Sequence, residues 1–342
     1  MIPFSKIIGQ EGPVRLLREA ITREKMPHAY LFSGIPGVGK TTTALALCQA
    51  LNCEHPRNED GCGRCPSCRK MISGNFPDLV ILEPDSQVIK IDQIRALDRV
   101  FSFKPVAGAF RLTVIRQAEA MTEEAANAFL KTLEEPPPGN ILVLNVTEPL
   151  NLLPTILSRC QRVSFRPVPA ALIEAWLVEN QGIEKDKAQV LARMASGSPG
   201  KALEMGRSDF LERRQELLFD LNRIIPLAPQ EVVQWVLKYV GKDTKDKREA
   251  AVALLLDVWK TWYRDLLLTK ADCPEQMLLN IDFSRELKNA SADFTIDDLV
   301  ESFFLLDQAE RDLMLHRNLD LLVEIGVLRL TRLYGRRKTT RE

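Results

Sequence analysis

The chain has 342 residues, 45% of them hydrophobic and 27% charged, an ordinary globular composition with length for two or three domains of roughly 100–200 residues each. Basic and acidic side chains number 46 each, which excludes a strongly basic nucleic-acid binder on overall charge but not a local basic face. No stretch approaches ~20 uninterrupted apolar residues, and the opening MIPFSKIIGQEGPVRLL has no apolar run behind a basic start, so neither a membrane span nor a secretory signal is expected and the expected localisation is cytoplasmic.

Residues 11–25 read as a helix closed by Pro27. Ala29–Ser33 is an apolar run of strand length, a glycine-rich turn follows, and Thr42–Leu51 reads as a helix. Residues 53–68 are polar, cysteine-rich and without apolar period, which reads as an insertion. Asp78–Leu82 and Arg111–Ile115 are buried-strand candidates, with a helical stretch at 91–102 between them. Thr122 to Glu135 carries helical spacing through Ala126, Phe129, Leu130 and Leu133, with Thr122 as N-cap and Pro136-Pro137-Pro138 as the stop. Ile141–Val146 and Arg162–Phe165 complete five strands. Strands alternating with helices predict an α/β domain, a mostly parallel sheet covered on both faces. After Pro167 and Pro169 only helical periodicity is left, near 170–180, 185–195, 199–206 and in longer runs from 208, with a turn at Gly197-Ser198-Pro199-Gly200. The basic tail Arg336 to Arg341 reads as a solvated end.

Gly34-Ile35-Pro36-Gly37-Val38-Gly39-Lys40-Thr41 fits the phosphate-loop pattern G-x4-G-K-[ST] at every fixed position. Glycines let the backbone bend until its N–H groups converge on phosphate oxygens, and the helix beginning there adds its positive end. Gly34, Pro36, Gly37, Gly39, Lys40, Thr41 and Thr42 are the candidate nucleotide-binding residues. Lys40 is expected on the β and γ phosphates and the Thr41 hydroxyl on Mg²⁺.

Cys53-x8-Cys62-x2-Cys65-x2-Cys68 offers four thiols within sixteen residues. Two C-x2-C turns sharing Cys65 place three sulfurs around one ion, and Cys53 closes a tetrahedron. Four thiolates with no open position predict a structural Zn²⁺ site rather than a catalytic one. With so little apolar content, metal binding supplies much of the insertion's folding energy. His55 is a less favoured substitute ligand. Cys48, Cys160 and Cys273 are isolated and read as buried or half-buried small apolar residues.

A hydrolytic P-loop protein needs a carboxylate at the end of a later strand to orient Mg²⁺, and usually a second to activate water. The candidate strand Leu112-Thr113-Val114-Ile115 runs instead into Arg116-Gln117. Glu119 lies three residues beyond the first expected position. The sequence therefore argues against efficient hydrolysis by the isolated chain: the Arg116 charge opposes Mg²⁺ binding, and the site either holds ATP or ADP with that arginine compensating its charge or stands empty.

Two stretches carry a resemblance to bacterial clamp-loader ATPases of the AAA+ class: Phe129-Leu130-Lys131-Thr132-Leu133-Glu134-Glu135-Pro136-Pro137 and Leu153-Pro154-Thr155-Ile156-Leu157-Ser158-Arg159-Cys160-Gln161. Gly9-Gln10, His28 to Phe32 and the four-cysteine insertion resemble the same family. Within it the delta-prime branch is the nearest in pattern; the gamma/tau branch is similar over the same region but keeps the acidic strand end. The resemblance is strong over 1–207 and weak beyond, where it rests on helical content and on Arg317-Asn318-Leu319-Asp320-Leu321.

The resemblance implies three domains: an AAA+ nucleotide domain at 1–167 with the zinc module at 53–68, a helical lid at 168–207, and an all-α oligomerisation collar at 208–342. It implies that Arg159, in Ser158-Arg159-Cys160, is an arginine finger acting in trans on a neighbour's nucleotide, and that Thr147 and Lys201 lie near two polar sensors. It implies gamma/tau and delta partners in a hetero-pentamer that opens the sliding clamp and places it on primed DNA. Two other readings stand beside it. The intact phosphate loop favours a gamma/tau-like subunit that hydrolyses ATP itself. A zinc-dependent nucleic-acid-binding regulator draws on Arg57, Arg64, Arg69 and Lys70, but no aromatic lies between Cys53 and Cys68 to stack a base.

Overall fold

The computed structural model describes residues 3–224, 227–241, 243–315 and 318–338; Arg317 and the tail from Thr339 to Arg341 lie outside them. Five parallel strands form one sheet: β1 (Ala29–Ser33), β2 (Leu79–Leu82), β3 (Arg111–Ile115), β4 (Asn140–Val146) and β5 (Gln161–Ser164), in the order β2-β3-β4-β1-β5. The central runs are apolar because both faces are covered. Strand alternation puts Leu31, Ile115, Leu142 and Leu144 on one face. There they pack with Ile94, Leu97 and Phe101 of α4 (Ile91–Phe101) and Phe129 and Leu133 of α5 (Glu123–Glu134). On the opposite face α2 (Lys40–Leu51) lies against β3 and β4, with Leu112, Val114 and Val143 buried beneath it.

Local chemistry sets several boundaries. Helix α1 (Glu11–Thr22) ends before residue 25 because Glu24 turns left-handed, φ 52°, while Lys25 N donates to Ala20 O. Thr122 caps α5, its hydroxyl accepting Ala125 N at 3.3 Å. The cysteine segment holds a helix that apolar periodicity misses, α3 (Pro66–Ile72), started by Pro66 at its first position and by the Cys65 sulfur accepting Cys68 N. A one-turn helix α6 (Pro154–Leu157) ends at Ser158-Arg159.

From Ala170 onward all described regular structure is helical: α7 (Ala170–Gln181), α8 (Lys185–Met194), α9 (Pro199–Arg207), α10 (Phe210–Ile224), α11 (Pro229–Val240), α12 (Lys245–Lys270), α13 (Ser284–Ser291), α14 (Ile296–Met314) and α15 (Leu319–Lys338), with two short 3-10 turns between α12 and α13. The chain forms two compact units, one holding everything through Ala188 plus Ala195–Leu203, the other Gln189–Met194 and everything from Glu204. The second unit is built on α12, which buries Trp259, Trp262 and Tyr263 against α10, α13 and α14. No helix among the described residues is long and apolar enough to cross a membrane.

Candidate functional site

A cavity of about 470 Å³ opens at the carboxyl ends of the strands, where β1 lies between β4 and β5. That volume suits a small organic ligand, and this edge is where open α/β sheets bind them. The phosphate loop from Pro36 to Thr42 forms its floor. Two loop glycines are dictated by close approach as well as by positive φ: a Cβ on Gly34 would meet Phe165 O at 2.6 Å, and one on Gly37 would meet Ser198 Oγ at 2.4 Å. Helix α2 starts at Lys40 with left-handed Gly39 as its cap and no capping side chain, so its first N–H groups face the loop rather than a protein acceptor.

Lys40 donates to the carbonyls of Gly34 and, at 3.0 Å, Ile35. Burial lowers its pKa below the ordinary lysine range, against an opposing pull from the Glu119 carboxylate. The Thr41 hydroxyl accepts Asn145 Nδ2 at 3.0 Å. Asn145, on β4, is 4% exposed.

The loop is held from two sides. Ser198 Oγ donates to Pro36 O at 2.8 Å and Gly200 N to Gly37 O at 2.9 Å, so the start of α9 docks on the loop backbone. Pro199, Gly200 and Leu203 of α9 and Trp176 of α7 wall the cavity there. On the other side Lys6, Ile7 and Ile8 line it. They are fixed by buried Gln10, whose amide donates to Arg166 O at 2.7 Å and accepts Arg166 N at 3.3 Å.

The end of β3 borders the same cavity. Arg116 forms an ion pair with Glu83, beyond β2, so its charge is met by a carboxylate; both side chains are about half exposed, which limits the strength of the pair. Gln117 is exposed and left-handed, φ 49°. Glu119 sits in the 3-10 turn Ala118–Ala120 and accepts Thr147 N at 2.7 Å through Oε1. Thr147 lines the cavity, whereas Lys201 does not; its backbone N donates to Ser198 Oγ at 3.1 Å. Asn145, Trp176 and residues 6–8 carry no motif in the sequence. Only the strand order and the docking of the termini bring them to the loop.

The four cysteines converge, every pair of sulfurs within 4.8 Å. A tetrahedral zinc with Zn–S bonds of about 2.3 Å spaces its sulfurs about 3.8 Å apart, so small movements would close the shell. Backbone amides already point at the sulfurs: Cys62 N donates to Cys53 Sγ at 3.2 Å, Cys65 N to Cys62 Sγ at 3.4 Å, and Cys68 N to Cys65 Sγ at 3.4 Å. The amides of Arg64 and Cys65 hold the Cys62 thiol at about 6, while burial pushes Cys53 up and Cys68 up to about 12. Such a donor set fits a soft divalent ion that draws all four into the thiolate form. The remaining thiols, Cys48 and Cys160, are buried, and Cys273 is half-buried.

Between the first two cysteines, Asp60 accepts Phe4 N at 2.7 Å and Ser5 N at 3.2 Å and pairs with Arg18 of α1 at 2.9 Å. The module is thereby stapled to the segment that leads into the cavity.

Arg159 lies apart, at the end of α6. Its guanidinium pairs with Glu134 at 2.7 Å and donates to Thr155 O at 3.0 Å, leaving the side chain 35% exposed. The two stretches that carry the resemblance are thus joined by one ion pair.

A family model described as DNA polymerase III, delta subunit, matches residues 9–169. The delta-prime subunit of DNA polymerase III from Bacillus subtilis (strain 168) is 31% identical over 94% of this chain and 96% of its own length. Its counterpart from Escherichia coli (strain K12) is 29% identical over 72% of this chain and 74% of that protein. The Bacillus subtilis tau subunit is 27% identical over 96% of this chain but only 61% of that protein. The chain belongs to the family of DNA polymerase III delta-prime subunits.

Proposed function

We propose that the chain serves as the delta-prime-like subunit of a replicative clamp loader, working beside gamma/tau and delta subunits to open a sliding clamp and place it on primed DNA. Relatives covering nearly the whole chain support that role. The observation that carries the mechanism is the mismatch within one cavity: a complete phosphate loop faces a strand end with Arg116 paired to Glu83 and Gln117 turned to solvent. In this reading the site holds ATP or ADP and turns it over negligibly, because no carboxylate stands where the attacking water must be activated.

Catalysis then lies with Arg159. Its half-exposed guanidinium exchanges Glu134 for the γ-phosphate of a neighbouring subunit, where a planar fork stabilises the charge that develops in transfer. Thr147, which lines the cavity, acts as a polar sensor of this chain's own nucleotide; Lys201, outside the lining, would have to turn toward the phosphates to serve as the second. Residues 1–167 form the nucleotide domain, 168–207 its lid, and 208–342 the collar; Trp176, Pro199 and Leu203 at the cavity wall support the lid. Cys53, Cys62, Cys65 and Cys68 hold a structural Zn²⁺, which supplies the cross-link that the apolar-poor module lacks. DNA contact is shared across the assembly and made to phosphates rather than bases.

Steady-state ATP hydrolysis tests this reading. The purified chain is expected to show no turnover above background, yet to raise the rate of a gamma/tau and delta mixture when clamp and primed DNA are present. The complete loop, with Glu119 beside it, favours a second reading, a self-sufficient ATPase. Turnover by the chain alone at the partner's rate would select it.

A further inference from the structure

Two oxygens in the nucleotide cavity have no partner. Glu119 Oε1 is taken by Thr147 N, but Glu119 Oε2 is shielded from solvent and accepts nothing. Asn145 is 96% buried by its 4% exposure; its Nδ2 donates to Thr41 Oγ1, and its Oδ1 accepts nothing. Both residues line the same cavity as Thr41 and Lys40. A buried acceptor left unpaired loses its hydration without replacement, so two around one phosphate-loop threonine call for a shared donor or cation.

We infer that Glu119 and Asn145, with the Thr41 hydroxyl, form a replacement divalent-cation position beside the nucleotide phosphates, standing in for the carboxylates that β3 lacks. The inference rests on the nucleotide-holding reading. The chemistry is that of a hard cation: Mg²⁺ takes one carboxylate, neutral oxygens, waters and phosphate oxygens rather than a full protein cage. One anionic ligand suffices because the phosphates bring most of the charge. The Arg116–Glu83 pair lessens the opposition that a bare guanidinium would present. Glu119 also hangs between the ends of β3 and β4, held through Thr147 N, so a cation there would tie the loop after β4 to the phosphate loop. The rival partner for Glu119 Oε2 is Lys40 itself, once it leaves the Gly34 and Ile35 carbonyls. A lysine partner would make binding indifferent to metal.

The test is equilibrium binding of a fluorescent ATP analogue to the full-length chain in Mg²⁺ and in EDTA, for wild type, Glu119→Gln and Asn145→Ala. Glutamine keeps the Oε1 acceptor for Thr147 N–H, so the substitution spares the local fold. Wild type is expected to bind at least tenfold more tightly in Mg²⁺. In Glu119→Gln that ratio is expected to fall to threefold or less, and in Asn145→Ala it is expected to move the same way. Mn²⁺ paramagnetic resonance on the nucleotide complex reads the same cation directly and is expected to lose the protein-bound signal in Glu119→Gln. An equal Mg²⁺ dependence in wild type and Glu119→Gln, or none in wild type, overturns the cation position and leaves nucleotide binding standing. No binding under either condition overturns both.

Discussion

At the scale of single residues, the cysteines and the loop lysine show what spacing reveals and what it hides. The four thiols are legible because C-x2-C turns converge on one ion whatever surrounds them, and the sulfurs do lie within 4.8 Å of one another. Asn145 is not legible, because a buried asparagine in the strand run Asn140–Val146 has no pattern until Thr41 is brought to it. Glu119 shows the same limit. Counting from β3 put it three residues too late for the expected acid, but the turn Ala118–Ala120 folds it back to the cavity. For the cysteines the expectation is one equivalent of zinc per chain by elemental analysis, lost in Cys68→Ser. Stripping the metal with a chelator should lower the melting temperature and expose residues 53–72 to protease, since few apolar contacts replace the cation. A metal-free preparation with an unchanged melt would exclude the structural role.

At the scale of elements, the strands are readable as short apolar runs, and all five strand candidates match to within a residue. The connections are not, because long-range polar contacts build them. Asp78, fully buried, accepts the amides of Val106, Ala107 and Gly108 at 2.6–3.0 Å, and Arg111 reaches it at 3.5 Å while donating to the carbonyls of Val100, Phe103 and Lys104. One carboxylate and one guanidinium thus take three amides and three carbonyls of the connection between α4 and β3. Removing one partner of such a pair leaves a buried charge and costs about 3–5 kcal/mol. Arg111→Met is expected to lower the stability of the first unit by that amount in denaturant unfolding; a loss under about 1 kcal/mol would mean that the backbone amides alone hold Asp78. The helix α3 was missed for a related reason. Its start is set by a sulfur cap and a proline, not by an apolar stripe.

At the scale of the molecule, helical periodicity after residue 169 was legible, but not what organises it. In the second unit Arg214, 1% exposed, forks onto Asp282 at 2.8 Å and onto Asn280, and Asp265 accepts the Asn280 amide and side chain. Arg193 adds bonds to the Gln276 and Leu278 carbonyls. These charges fasten the irregular stretch between α12 and α13, where no hydrophobic pattern exists to read. Arg214→Ala should destabilise the second unit by on the order of 2–3 kcal/mol, below the range of a fully buried pair because Asp282 is partly exposed. If residues 208–342 are the collar, the same substitution should weaken assembly with partner subunits in analytical ultracentrifugation while nucleotide binding by the chain is unchanged; tight assembly at full strength would argue that other residues carry the interface.

The proposed action of this chain is on a neighbour's nucleotide rather than its own. It is tested most directly by ATP hydrolysis of a reconstituted assembly of gamma/tau, delta and this chain, with clamp and primed DNA, comparing wild type with Arg159→Ala. Loss of one arginine finger is expected to cut the partner's contribution by at least tenfold, within the reach of a group worth about 10³–10⁵ in rate at a single site, with assembly and zinc content unchanged. Equal rates for the two proteins would contradict it.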